Sequence, residues 1–228
     1  MSRANNLNNK LSNIYKPKGA TSFDVVQQIK RLTGEKKVGH AGTLDPLAEG
    51  VLIMGVGRES TKKLRFILEE DKEYIAEIKL GYYSTTDDEE GEKKKVEVKN
   101  WPTIEEIKKV TKTFIGDIIQ ISPAYSAIKI QGERAYKKAR RGEKFTRPPR
   151  IVTIKEIEIL EYNIPLAEKN NVSLENCPIL KIKTIVGSGT YIRSLAREIG
   201  EKLNTGGYLT SLTRTRIGNY KIEDSIRL

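Results

Sequence analysis

The chain has 228 residues, 37% hydrophobic and 31% charged, enough for one well-buried core and too apolar for a disordered polymer. No apolar run approaches the ~20 residues that cross a bilayer, and one cysteine, Cys177, with one histidine, His40, rules out an intramolecular disulfide and argues against a zinc cage. The formal charge is +11, and residues 128–150, "IKIQGERAYKKARRGEKFTRPPR", hold nine Lys or Arg against two Glu; with Tyr136 and Phe145 interleaved, such a patch points to a polyanion, most simply nucleic acid.

In chain order, residues 1–13, "MSRANNLNNKLSN", lack the apolar region of a signal peptide and read as a loose, disordered tail. The lone cysteine fits a reducing compartment, and a cytoplasmic location is expected. A helix is predicted from Thr21 or Ser22, with Phe23, Val26, Ile29 and Leu32 as its apolar stripe and Thr21-x-x-Asp24 resembling a capping box. "KKVGHAGTLDPLAEGVLIMGVG" (36–57) sets Asp45 in a glycine-rich corner ahead of a short buried strand. Residues 59–69 look helical, and "KEYIAEIKLGYYS" alternates Tyr74, Ala76, Ile78 and Leu80 against polar neighbours, as a half-buried strand does. "TTDDEEGEKKK" reads as a solvated, charge-segregated loop without calcium-ligand spacing.

Trp101-Pro102-Thr103 opens a helix bearing Ile104, Ile107 and Phe114; the basic stretch follows, and "RPPR" (147–150) reads as an extended linker. Strands are expected at 151–162 and 179–186, separated by a polar insertion at 163–178 of unknown role. "GSGTYIRSLAREIGEKL" then starts a helix with Ile192, Leu195, Ala196, Ile199 and Leu203 on one side. Without regular βαβ alternation or an internal repeat, an α+β domain on a mixed, mostly antiparallel sheet flanked by helices is expected.

Two patterns, "GVGRES" and "GSGTYI", begin like a dinucleotide fingerprint, but both lack its third glycine and a following βαβ unit, so a nucleotide cofactor is poorly supported. Asp45 before Pro46 is by itself an ordinary turn starter. A His40–Cys177 nucleophilic pair is conceivable, although Cys177 sits beside a proline in a polar insertion. Arg193, one turn into the last helix, is suited to hold a carboxylate ionised and aimed, and equally to be a surface charge.

"GHAGTLDPLAEGVL" resembles the catalytic motif of the TruB family of tRNA pseudouridine synthases, and "YKPKGATSFDVV", "KEYIAEIKLG", "SPAYSAIKIQGERAYKKARRG" and "GTYIRSLAREIGEKL" match further family segments in order, over about residues 14–220. The resemblance implies the pseudouridine synthase fold in a catalytic domain over 14–228 with an RNA-gripping insertion at about 124–150. It implies isomerisation of uridine 55 in the tRNA T loop, by a flipped-out base and without metal or organic cofactor. Asp45 matches the catalytic aspartate, Arg193 its arginine partner and Tyr74 the tyrosine stacking on the target base. His40 matches the histidine that steadies the T loop, Leu212 lines the uracil pocket, and Tyr191 and Lys62 fall in matching places nearby. Lys129, Arg134, Lys137, Lys138, Arg140 and Arg141 of the insertion, with Arg214 and Arg216, are expected to meet phosphates.

Family members usually continue into a carboxy-terminal PUA-type RNA-binding domain, whereas this sequence stops at Leu228; the grip on tRNA is therefore expected to rest on the insertion. A monomer acting without membrane or obligate protein partner is expected. The alternatives are the catalytic subunit of a guide-RNA-dependent pseudouridine synthase and a non-catalytic RNA chaperone.

Overall fold

The computed structural model describes residues 7, 10–126, 128–164 and 174–228. In chain order the elements are β1 (Leu11–Lys16), α1 (Ser22–Thr33), β2 (Val38–Ala41), β3 (Glu49–Val56), α2 (Arg58–Glu69), β4 (Lys72–Leu80), β5 (Tyr82–Ser84) and β6 (Lys93–Lys95). There follow α3 (Ile104–Lys112), β7 (Gly116–Ile121), β8 (Lys129–Ile130), β9 (Glu133–Arg134), α4 (Ala135–Arg140) and β10 (Pro149–Asn163). The chain closes with β11 (Ile179–Val186), α5 (Ile192–Lys202), β12 (Gly207–Ile217) and β13 (Tyr220–Lys221). The class is α+β. The described residues fall into two compact units: the first runs to Ile75 and adds Ile185–Ser188 and Ser211–Leu228, and the second takes Ala76–Thr184 and Gly189–Thr210. Three strands, β4, β11 and β12, contribute residues to both.

The first unit is organised on β3. It pairs antiparallel with β1, Leu11 opposite Gly55 and Lys16 opposite Gly50, antiparallel with β2, and parallel with β12 at Glu49–Gly50. Both faces of β3 are covered, which is why its sequence is an unbroken apolar run rather than an alternation. Leu52, Met54 and Val56 pack with Val25, Val26 and Ile29 of α1 and Ile14 of β1. Val51 and Ile53, one residue out of phase, pack with Leu64 of α2 and Ile217.

Helix α1 starts as predicted, Thr21 and Asp24 forming a reciprocal capping box, and Gly34 ends it at φ +70°. Its buried face is different. Val25, Val26 and Ile29 are inside, while Phe23 and Leu32 are 63% and 43% exposed. A strict three-residue series drifts by about 60° per step on a 3.6-residue helix, so positions 23 and 32 end on opposite sides. The tail is also shorter than expected: Leu11–Asn13 belong to β1, and Leu7 is buried in the same cluster as Ile14.

In the second unit the strands pair in the order β12-β4-β11-β10-β7. β4 alternates as its sequence requires, with Ala76, Ile78 and Leu80 inside. α3 starts on a second capping box, Thr103 with Glu106, and lies against α5 and β10, while α5 lies against β7. The approach of α5 to the start of β12 needs glycine: a Cβ on Gly200 would stand 2.3 Å from the Gly206 carbonyl carbon. The expected linker at 147–150 is a strand from Pro149, which pairs with Ile121; as the first residue of β10, proline is tolerated in the ladder. Between β7 and β10 the basic insertion folds into the β8–β9 hairpin and α4. Of the polar stretch 163–178, residues 165–173 lie outside the described residues.

Candidate active site and nucleic-acid interface

In the first unit Asp45 sits, half-buried, in the loop joining β2 to β3. The loop leaves β2 through Gly42 at φ +80° and is pinned along its length. Arg214 Nη2 donates to the Gly42 carbonyl at 3.1 Å, and Ser22 Oγ at the start of α1 bonds both the N–H and the carbonyl of Leu44, at 2.9 and 3.1 Å. Gly19 N–H donates to the Pro46 carbonyl at 2.8 Å, and Ala48 N–H to the Asp45 carbonyl at 3.0 Å. A carboxylate on a backbone held at four points loses little further freedom on meeting a substrate.

Arg214 corrects an expectation. It was read as a phosphate contact, yet it is 1% exposed, and its Nε donates to the Val51 carbonyl at 2.8 Å while Nη2 holds Gly42. It alternates inward on β12, and a guanidinium there must be spent on carbonyls. Lys16 was missed. Its ammonium is wholly buried and donates to the carbonyls of Pro17 and Ala20 at 2.9 and 2.6 Å. Burial pulls its pKa down to about 8, the charge of Asp45 acting in the opposite direction.

His40, on β2, is held below the usual histidine range, first by burial and then by Arg214; it is a neutral imidazole at neutral pH. Tyr74 on β4 and Leu212 on β12 are each 7% exposed. Arg216 faces Glu73 at 3.7 Å and donates to the Gly218 carbonyl at 3.0 Å. Lys62 is on the exposed side of α2 in a 2.8 Å ion pair with Glu59, an ordinary solvent-screened surface contact.

In the second unit Arg193 lies on α5 and is 5% exposed. It faces the Asp88 carboxylate at 3.3 Å and donates to the carbonyls of Thr86 at 3.2 Å and Tyr125 at 2.9 Å. One turn on, Arg197 pairs with Asp87 and Glu198. The loop read as solvated is therefore built around two buried carboxylates, Asp87 at 8% and Asp88 at 3% exposure. Nothing local in "TTDDEEGEKKK" marks these two among its five acids, because their partners lie more than 100 residues away in sequence. Tyr191 caps α5 through its backbone, its N–H donating to Gln120 Oε1 at 2.8 Å.

The insertion presents Lys129, Arg134, Lys137 and Arg140 on its exposed surface, Arg140 standing over the Tyr136 ring at 5.5 Å. Arg141 is engaged internally, bidentate to Glu133 at 2.7 Å and bonded to Glu143 at 2.6 Å, which drives its pKa up further. Lys138 reaches Glu143 at 3.5 Å. Cys177 is 3% exposed, and burial pushes its thiol up, opposite to what a nucleophilic thiolate requires. Among the described residues no cluster of three His, Cys, Asp or Glu could hold a metal ion, and no helix is long and apolar enough to cross a membrane.

Residues 30–192 match the family model described as TruB family pseudouridylate synthase, N-terminal domain. The tRNA pseudouridine synthase B of Clostridium tetani is 46% identical over 220 residues, 96% of this chain and 71% of that protein. Its counterpart in Bacteroides fragilis is 43% identical over 217 residues, 92% of this chain and 87% of that protein. Among solved structures, a chain of a Cbf5-Nop10-Gar1 complex superposes with a TM-score of 0.71 at 30% identity, covering 97% of this chain and 53% of that one. The present chain thus spans about half of that solved chain.

Glu198 supplies a test of how the second unit is held. Burial raises its carboxyl from 4.5 to about 7 and outweighs the opposing charge of Arg197. The folded state then keeps a proton that the unfolded state releases, so stability falls as pH rises from about 4.5 to about 7, by on the order of 3 kcal/mol at most. Urea unfolding at pH 5 and pH 8 should show a smaller loss for Glu198→Gln than for the wild type. Equal losses would mean that Glu198 titrates normally.

Proposed function

Because the chain belongs to the TruB family of pseudouridylate synthases, we propose that it converts uridine to pseudouridine in tRNA, at position 55 of the T loop. The observation that carries this reading is the pinned loop holding Asp45. Support comes from identity with tRNA pseudouridine synthase B of Clostridium tetani over 96% of this chain.

The reaction is an isomerisation. The bond between the sugar and nitrogen 1 of the base breaks, the base turns, and a bond forms from the sugar to carbon 5. The proton on carbon 5 leaves to solvent, and nitrogen 1 gains one. Nothing is oxidised, so the chemistry asks for an aimed carboxylate rather than a redox group. Asp45 takes that part, as nucleophile toward the base or sugar or as base toward a sugar proton, and the family resemblance gives Arg193 the part of the arginine that favours the ionised carboxylate. Asp45 and Arg193 belong to different units, and their partnership on one nucleotide is drawn from the family resemblance.

Extruding the base costs a few kcal/mol, and stacking on Tyr74 returns ~1–3 kcal/mol. His40, neutral, contributes hydrogen bonds to the loop without a charge, and Leu212 supplies an apolar wall. Lys129, Arg134, Lys137, Lys138 and Arg140 meet phosphates, so recognition follows RNA shape and the splayed loop base more than duplex sequence. Action in the cytoplasm as a monomer, without a guide RNA or protein partner, completes the proposal. The higher identity to tRNA pseudouridine synthase B (46%) than to the chain in the Cbf5 complex (30%) supports that choice.

Replacing Asp45 by Asn should abolish isomerisation of a T-arm stem–loop while leaving its dissociation constant within a few-fold of wild type; an active variant would remove the catalytic role. For the grip, neutralising Lys129, Lys137 and Arg140 together should weaken binding and flatten its salt dependence by up to about 0.9 in slope per lost phosphate contact. Arg141→Gln should change that slope far less, since its guanidinium is taken up by Glu133 and Glu143. A slope untouched by the triple change would place the RNA elsewhere.

A further inference from the structure

Arg197 lies one helical turn beyond Arg193, and the family resemblance gives it no part in the reaction. Its side chain is 17% exposed and meets three carboxyl groups, those of Asp87, Glu198 at 3.1 Å and Glu201 at 3.5 Å. Nη2 also reaches the Ile121 carbonyl at 3.3 Å. The targets of these contacts have a pattern.

Asp87 is the residue next to Asp88, which holds Arg193. Its backbone is in the left-handed region at φ +62°, its N–H donates to the Ser84 carbonyl at 3.1 Å, and its carbonyl accepts from Leu209 N–H at 3.1 Å. Thr86, whose carbonyl accepts from Arg193, belongs to the same turn. Thr86 and Asp88, both partners of Arg193, therefore ride on a turn that Arg197 ties to α5. Ile121 is the last residue of β7, where the insertion begins. Ser194 Oγ donates to the same Ile121 carbonyl at 2.8 Å, and Arg193 itself reaches Tyr125. At the far root of the insertion, Arg147 donates to the Ser122 carbonyl at 2.8 Å. Asp87, Ile121, Arg147, Arg197 and Glu198 line one open cleft of about 400 Å³, so these tethers border a common space.

We propose that Arg197 is a positioning residue: by clamping the Ser84–Asp88 turn and the root of the insertion to α5, it sets the guanidinium of Arg193 relative to RNA held by the insertion. The inference rests on the reading of Arg193 as catalytic. Its physical basis is the steep sensitivity of reaction rates to alignment, in which a displacement of about 1 Å can cost on the order of a hundredfold. An ion pair that merely stabilises the fold would move the melting temperature and leave the rate of folded enzyme alone.

The test compares wild type with Arg197→Met, Arg197→Lys and Asp87→Asn at a temperature where each is folded. Single-turnover isomerisation of a T-arm stem–loop, its dissociation constant, and the side-chain Nε–H resonance of Arg193 in isotope-labelled protein are measured. Arg197→Met and Asp87→Asn should each slow the single-turnover rate by about tenfold or more, with the dissociation constant within about threefold and the Arg193 resonance shifted or broadened. The double variant should be no slower than the worse single one, because both changes open the same clamp. Arg197→Lys, keeping the charge and losing the fork, should recover part of the rate. A wild-type rate in folded Arg197→Met, a loss confined to the dissociation constant, or an unmoved Arg193 resonance would each overturn the proposal. If Arg197→Met does not fold, Asp87→Asn carries the same three readouts. If the wild type itself fails to isomerise, the functional reading falls, and the resonance, which needs no RNA, still decides the clamp.

Discussion

A guanidinium removed from water must be met by carboxylates or carbonyls, and breaking such a buried pair costs about 3–5 kcal/mol. Among the described residues Arg193 and Arg214 are under that constraint and Arg197, partly buried, shares it in part; each fixes a loop. Arg214 holds Gly42 at the entry to the loop of Asp45. Arg193 and Arg197 hold the turn of Asp87 and Asp88 against α5. The fold thus uses its buried guanidinium groups as loop tethers, and the sheet and helices serve as the frame to which these loops are tied.

The positive charge divides by burial. Inside, Arg193, Arg197, Arg214 and Lys16 are spent on protein oxygens. Outside, the insertion carries an excess of Lys and Arg with too few acids to neutralise it. Even there the charge is not uniform, since Arg141 is occupied by Glu133 and Glu143 and stiffens the insertion, while Lys129, Lys137 and Arg140 face solvent. A stiff basic element carries a smaller ordering cost on binding RNA than a floppy one of equal charge.

Local patterns were legible in the sequence. The capping box at Thr21, the helix start at Thr103 and the two-residue alternation of β4 are short-range features, and the structure has them as written. The buried face of α1 was misjudged because positions 23, 26, 29 and 32 satisfy a three-residue rule but rotate around the helix. What sequence could not show was partnership at a distance. Asp87 and Asp88 looked like solvated charges until Arg197 and Arg193, more than 100 positions on, were brought to them. Arg214 looked like an RNA contact because its inward register on β12 depends on strand pairing. Asp45, Arg193 and Tyr74 were singled out by family motifs, since no spacing rule ties them together.

Release of the proton from carbon 5 of labelled uridine in a T-arm stem–loop reports the isomerisation directly, since product and substrate have the same mass. With the purified chain alone, and no added guide RNA or protein, release should proceed until it matches the amount of RNA supplied. RNA that is fully bound yet retains its label would contradict the assignment of this chain as a stand-alone pseudouridine synthase.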